Sequence, residues 1–180
     1  GTSRNGDDGS TKIIAEWANR YGRHLWTVDM DPKNCEFVRN LNLENVEIVN
    51  GTGEKFLQDF PSHTSYISFL YLDNFDWDWH PDTEREAIIE QEKRYSELGK
   101  VMNNMNSQRA HLAQIVAAMP AMAPSSIVVC DDTWYNKWWG QYCGKSGAVV
   151  PFLLGHGFEV VYTEEEPVYG TILARGIKWH

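Results

Sequence analysis

Three aspartates stand where two apolar runs end. Asp73 follows Tyr66 to Leu72, and Asp131 and Asp132 follow Ile127 to Cys130. Continuous apolar runs of this length suit strands buried on both faces of a parallel sheet. Where two such strands are adjacent and parallel, their ends lie about 4.8 Å apart, so the three carboxylates can converge. Convergent carboxylates require a cation. A set of oxygen donors with no competing Cys/His set suits Mg²⁺, Mn²⁺ or Ca²⁺ better than zinc. A single Asp after a strand ordinarily caps the loop that follows it; three in these two places favour the cation.

A second group of residues suits a nucleoside. The stretch from Gly1 to Ser10 is rich in Gly, Asp and Ser and leads into a helix, and Gly1, Gly6, Gly9 and Ser10 would let the backbone approach a ligand closely. The helix N-terminus there favours a negatively charged group such as a carboxylate. Asp29 comes twenty positions after Gly9, at the end of the next strand, where an acidic side chain can accept hydrogen bonds from both ribose hydroxyls. Glycine clusters alone more often mark ordinary turns; the pairing with Asp29 gives this one its meaning. A nicotinamide cofactor shares the logic, but its glycine fingerprint would need a glycine where Arg4 stands, so NAD ranks second.

The elements that must position these residues are legible in outline. Helical spacing over Ser10 to Tyr21 predicts a buried face of Ile13, Ile14, Trp17, Ala18 and Tyr21, stopped by Gly22. Leu25 to Met30 reads as a strand, and Asp31-Pro32 as an N-cap with proline in the first helical turn of a helix running to about Leu41. Val46 to Val49 reads as a strand, followed by Asn50-Gly51-Thr52-Gly53 and a short helix with Phe56, Leu57 and Phe60. Between the two most apolar strands lies a long polar and helical region. Breaks are expected near Gly99 and at Met102 to Asn106, and then a crossover helix facing the sheet with Leu112, Ile115, Val116 and Met119. Its charged first half, around 82–106, reads as a helical insertion: a solvated helix, a cap or an element of a homodimer. Phe158 to Thr163 and Val168 to Ala174 are joined by Glu164-Glu165-Glu166-Pro167, too short for a parallel crossover, so this terminal pair must be an antiparallel hairpin. The pattern gives a three-layer α/β sandwich whose ligands bind beyond the carboxyl ends of the strands.

Bulk properties narrow the function. A chain of 180 residues with 42% hydrophobic composition suits one domain, 1–180. The formal net charge of −9, with no basic stripe, argues against nucleic acid as a substrate. Cys35, Cys130 and Cys143 are odd in number and form no CxxC pair, which fits neither a disulfide framework nor a zinc site and points to a reducing cytoplasm. No apolar run approaches the roughly 18 residues of a membrane span, so no membrane partner is expected.

Gly1-Thr2-Ser3 through Gly9-Ser10-Thr11 resembles the first motif of class I S-adenosylmethionine-dependent methyltransferases, and Val28-Asp29-Met30-Asp31-Pro32 resembles their second. The similarity spans almost the whole chain and is strongest to the metal-dependent O-methyltransferases of the catechol and macrocin type. It implies a Rossmann-like methyltransferase sandwich, mostly parallel with an antiparallel C-terminal hairpin. It also implies S-adenosylmethionine bound by Gly1, Thr2, Ser3, Gly9 and Ser10, by Asp29 on the ribose and Met30 on the adenine, and by Gly51, Thr52, Gly53 and Glu54 at the adenine edge, with Asp73 also on the cofactor side. Leu72-Asp73 and Cys130-Asp131-Asp132 resemble the family's metal positions, with Asp132 where the catechol enzyme has asparagine. The family's catalytic lysine falls at Asp76 and is not carried over, which leaves Asp76, Asp78 and His80 as base candidates by position, with Asp73, Asp76 and His80 the catalytic candidates. The family's first strand would lie before Gly1, so either the chain is part of a longer protein or its sheet is completed in another way.

The resulting expectation is O-methylation of a small molecule with the help of a divalent cation, which would orient the acceptor and lower the pKa of its hydroxyl. Trp77, Trp79, Trp134, Tyr135, Trp138 and Trp139 follow the two reactive strands and suit a planar or sugar-like acceptor, or equally the closure of a core. His24, His63, His111 and His156 show no ligand spacing and read as structural or exposed. A NAD-dependent oxidoreductase and a non-catalytic module of the same fold are the competing readings.

Overall fold

The computed structural model describes residues 9–60, 65–73, 85–164 and 170–177. The chain divides into two compact units, residues 1–59 and 60–180.

In the first unit, helix α1 (Ser10–Arg20) is followed by β1 (Leu25–Asp29), α2 (Pro32–Asn40), β2 (Val46–Asn50) and α3 (Gly53–Gln58). β1 and β2 pair in parallel from Leu25 opposite Val46 to Asp29 opposite Asn50, with α2 as the crossover between them. The expected stop after α1 is present: Gly22 has φ +61°, and the Arg23 N–H returns to the Ala18 carbonyl. The expected cap of α2 is present too, with Asp31 Oδ1 accepting the Lys33 N–H at 2.7 Å ahead of Pro32.

The face of α1 differs from the expectation. Ala18 is buried as expected and is joined by Ala15, whereas Ile13, Trp17 and Tyr21 are exposed. Alanine allows a helix backbone to come close to its neighbours, while Trp17 and Tyr21, one turn apart, meet with tilted rings whose centroids are 5.4 Å apart. Hydrophobic spacing set the period of the helix but not which stripe packs.

The second unit contains β3 (Ile67–Leu72), α4 (Arg85–Glu97), α5 (Asn104–Ala118), a short 3₁₀ turn, β4 (Met122–Cys130), β5 (Thr133–Asn136), β6 (Gln141–Gly144), α6 (Val149–Leu154), β7 (Glu159–Tyr162) and β8 (Thr171–Arg175). Four of these strands form one sheet in the order β3-β4-β8-β7. β3 and β4 are parallel, Leu72 lying opposite Cys130, and β7 and β8 are the antiparallel pair expected at the C-terminus. β8 also runs antiparallel to β4, so the hairpin returns into the sheet and places Thr171 opposite Cys130. The wholly buried Val128, Cys130, Val149, Val150, Leu153 and Leu173, with Ile115 and Ala118 of α5, make the core.

Four expectations are corrected here. The break at Met102 to Asn106 is shorter than expected, because Asn103 Oδ1 accepts the Asn106 N–H and makes Asn104 to Asn106 the first turn of α5. The buried face of α5 carries Ser107, Ala110, His111, Gln114, Ile115 and Ala118, while Val116 is exposed. Polar side chains can occupy a buried stripe when they find partners, as His111 does with Ser146, and a stripe read from apolar residues alone misses them. Finally, β5 and β6 form a hairpin where no strands were expected, turning through Gly140 at φ +62°. Helix α4 buries Ile88 and Tyr95, so it is not solvated all round.

Candidate functional site

In the first unit the candidate nucleoside site lies at the carboxyl ends of β1 and β2. Asp29 Oδ1 accepts the Asp31 N–H at 2.7 Å, and Oδ2 accepts Asn34 Nδ2 at 2.8 Å. Each carboxylate oxygen has two lone-pair sites, so these bonds fix the orientation of Asp29 and leave capacity for two further donors, as a ribose diol requires. Asn50 Nδ2 donates to the Asp29 and Met30 carbonyls, and the Gly51 N–H donates to the Asp29 carbonyl, so the loop after β2 is bound to the end of β1. Thr52 caps α3, and Glu54 stands in its first turn. Gly9 and Ser10 form the start of α1, where no side chain caps the helix. Gly1, Thr2 and Ser3 lie outside the described residues. Cys35 is buried beneath this end of the sheet, its Sγ 3.3 Å from the Asp29 carbonyl, and its thiol is pushed up by burial and by the neighbouring Asp29 charge.

In the second unit Asp73, Asp131 and Asp132 come together as their positions after parallel strands imply, one carboxylate oxygen from each lying within 4.8 Å of the others. The pairing of β3 with β4 extends by one bond, the Asp131 N–H donating to the Leu72 carbonyl at 3.0 Å. The chain then turns sharply at Asp132, whose φ is +44°, a conformation that aspartate tolerates better than most side chains.

A fourth charged residue belongs to this cluster. Lys145 Nζ lies 3.0 Å from Asp73 Oδ1 and 2.8 Å from Asp132 Oδ2, and its side chain is 6% exposed. The β5–β6 hairpin delivers it. Thr133 lies opposite Gly144, and the Lys145 N–H donates to the Asp132 carbonyl at 3.1 Å. Ser146, next in sequence, donates its N–H to Thr133 Oγ1 at 3.0 Å, and Thr133 Oγ1 donates in turn to the Asp131 carbonyl at 2.9 Å. Behind them His111 Nδ1 and Ser146 Oγ, both wholly buried, are 2.7 Å apart. Cys130, under the cluster, is pushed up to about 12 by burial.

Sequence reasoning missed Lys145, because nothing in its neighbourhood marks it as a partner of Asp73. The signal that could have found it is weak: a glycine turn between Thr133-Trp134-Tyr135-Asn136 and Gln141-Tyr142-Cys143-Gly144, which as a hairpin returns position 145 to position 132. The aromatic group divides in the structure. Trp134 is buried, and Trp138 and Trp139, at 87% and 71% exposure, stand on the hairpin turn. Asp76, Asp78, His80, Trp77, Trp79 and His63 lie outside the described residues, and His111 is wholly buried.

The three carboxylates carry the donor chemistry that a divalent ion requires, but a metal bound to the same oxygens of Asp73 and Asp132 would lie against the Lys145 ammonium. The geometry as it stands fits an ammonium between those two oxygens.

The structure is similar to the crystal structure of NSun6 from Pyrococcus horikoshii with SFG, with a TM-score of 0.52 and 13% identity over 92% of this chain and 44% of that one. The pyocyanin biosynthetic protein PhzM aligns with a TM-score of 0.47 and 16% identity over 93% of this chain and 48% of that one. The chain spans less than half the length of either solved chain. No protein-family model and no curated protein matches the sequence. The similarity to NSun6 shows the fold, a Rossmann-like methyltransferase fold of mixed α/β type. Among the described residues, no helix is long and apolar enough to cross a membrane.

Proposed function

We propose that this chain is an S-adenosylmethionine-dependent methyltransferase that methylates a hydroxyl oxygen of a small-molecule acceptor. The observation that carries this reading is Asp29: a carboxylate at the end of a parallel strand, oriented through both oxygens and beside a loop tied back to the same strand end. A side chain held this way is arranged to receive a diol. The fold shared with NSun6, described with SFG, supports the same reading. Bound in such a site, S-adenosylmethionine would supply a sulfonium methyl group for in-line displacement by the acceptor oxygen.

The roles of the chain's own residues follow from their chemistry. Asp29 accepts from the ribose hydroxyls, Met30 packs on the adenine, and the loop Gly51-Thr52-Gly53-Glu54 borders the base. Gly9 and Ser10, at the N-terminus of α1, favour the carboxylate of the ligand. Asp73, Asp131 and Asp132 serve the acceptor, whose hydroxyl must lose a proton as the new C–O bond forms, and a carboxylate is the acceptor for that proton.

A thermal-melt titration with S-adenosylhomocysteine, run in parallel with NAD, tests the reading. Saturation near 100 times Kd stabilises by about 2.7 kcal/mol, which is several degrees in Tm for a chain of this size. The expected result is a shift with S-adenosylhomocysteine alone, lost in Asp29→Ala. A shift with NAD alone, or with neither ligand, refutes it.

A further inference from the structure

We propose that Lys145 is the resident cation of the Asp73, Asp131 and Asp132 cluster, occupying the place a divalent metal would take, so that the chain does not bind a metal there. The carboxylates by themselves would repel one another, and a positive charge among them relieves that repulsion. Lys145 provides that charge from inside the fold: its Nζ touches Asp73 and Asp132 at 3.0 Å and 2.8 Å, and it is buried.

The backbone on both sides of Lys145 is fixed, which roots its side chain beside the cluster. The Gly144 carbonyl accepts Gln108 Nε2 at 3.2 Å, the Lys145 N–H is bound to the Asp132 carbonyl, and the Ser146 N–H to Thr133 Oγ1. Gly144 is packed so closely that a Cβ there would lie 1.8 Å from the Asp132 carbonyl oxygen. A metal on those two oxygens would have to drive a buried ammonium out of its ion pairs or share them at like-charge contact, and both are unfavourable. The hairpin β5–β6 is the device that builds this arrangement, because its register alone brings Lys145 to the ends of β3 and β4.

The inference concerns the acceptor side of the proposed methyl transfer, but its test reads metal binding and not turnover. A failure to bind S-adenosylhomocysteine would therefore refute the methyltransferase reading and leave this one standing. Mn²⁺ binding to the whole chain is measured by calorimetry and electron paramagnetic resonance, with thermal melts in chelator and in millimolar Mn²⁺. The wild-type chain is expected to show no saturable site and the same Tm in both conditions. Lys145→Met is expected to gain one Mn²⁺ site and a rise in Tm of several degrees with the metal, both abolished by adding Asp73→Asn. A stoichiometric Mn²⁺ site in the wild-type chain that Asp73→Asn removes would overturn the proposal, as would a folded Lys145→Met that gains no site. Should Lys145→Met not fold with or without Mn²⁺, the wild-type titration with Asp73→Asn decides by itself.

Discussion

Gly144→Ala should be among the most damaging single-methyl additions in the second unit. A Cβ at this position would lie 1.8 Å from the Asp132 carbonyl oxygen, 2.9 Å from its carbon and 2.8 Å from Trp134 Cζ3. Carbon–oxygen contacts are comfortable at about 3.3 Å, so one strand of the turn must retreat by roughly 1.5 Å. The backbone of Gly144, at φ +94°, lies in a region that costs an L side chain about 1–2 kcal/mol. Overpacking adds about 1–3 kcal/mol, and loss of the bond from the Lys145 N–H to the Asp132 carbonyl about 1 kcal/mol. Together these give a destabilisation of about 3–6 kcal/mol, or on the order of 10 °C in Tm for a chain of this length. Urea unfolding followed by far-ultraviolet circular dichroism measures it. Gly51→Ala is the control, since a Cβ there meets nothing within 4 Å; it should remain within about 1 kcal/mol of wild type. A Gly144→Ala chain as stable as that control would refute the account of how Lys145 is held.

The remaining expectations follow from the same contacts. Thr133→Val keeps the shape of a wholly buried side chain but removes the acceptor of the Ser146 N–H and the donor to the Asp131 carbonyl. It should cost about 2–3 kcal/mol in the same urea assay, while Thr133→Ser should retain most of the stability. Cys130 gives a pH dependence of definite sign. Its thiol is raised from 9.0 to about 12 in the folded chain, so above about pH 9 the unfolded chain releases a proton that the folded chain keeps, and stability falls by about 1.4 kcal/mol per pH unit. Cys35, Cys143 and Tyr142 are raised as well and act in the same direction, so the comparison with Cys130→Ala between about pH 9 and 10.5 isolates the share of Cys130. Equal slopes for the two chains would show that Cys130 ionises as readily folded as unfolded. Asp29→Ala, measured by its lost response to S-adenosylhomocysteine, and Lys145→Met, measured by its gain of a Mn²⁺ site, test the two halves of the functional reading separately.

Much of this protein was determined by local sequence. The alternation of apolar runs with capped helical stretches placed the strands, because strand and helix preferences act over a few residues and Asp31-Pro32, Gly22 and Thr52 end or begin elements by their own bonding. The carboxylates at the ends of β3 and β4 were legible for the same reason: a polar residue at the end of a buried parallel strand has only one place to be. The short link between the last two strands required an antiparallel hairpin on length alone.

Tertiary structure decided what local sequence could not encode. Which stripe of α1 and α5 is buried depended on the partner surface, and so Ala15 and His111 went inside while Ile13 and Val116 stayed out. The return of β8 between β4 and β7 is a choice of sheet neighbour, which hairpin length does not specify. The cation of the acidic cluster was the largest such decision. Carboxylates announce a need for positive charge, but Coulomb attraction does not care whether that charge arrives from solution or from a side chain remote from Asp73 in sequence. Only the register of β5 against β6 brought Lys145 to Asp73 and Asp132 and made it the answer.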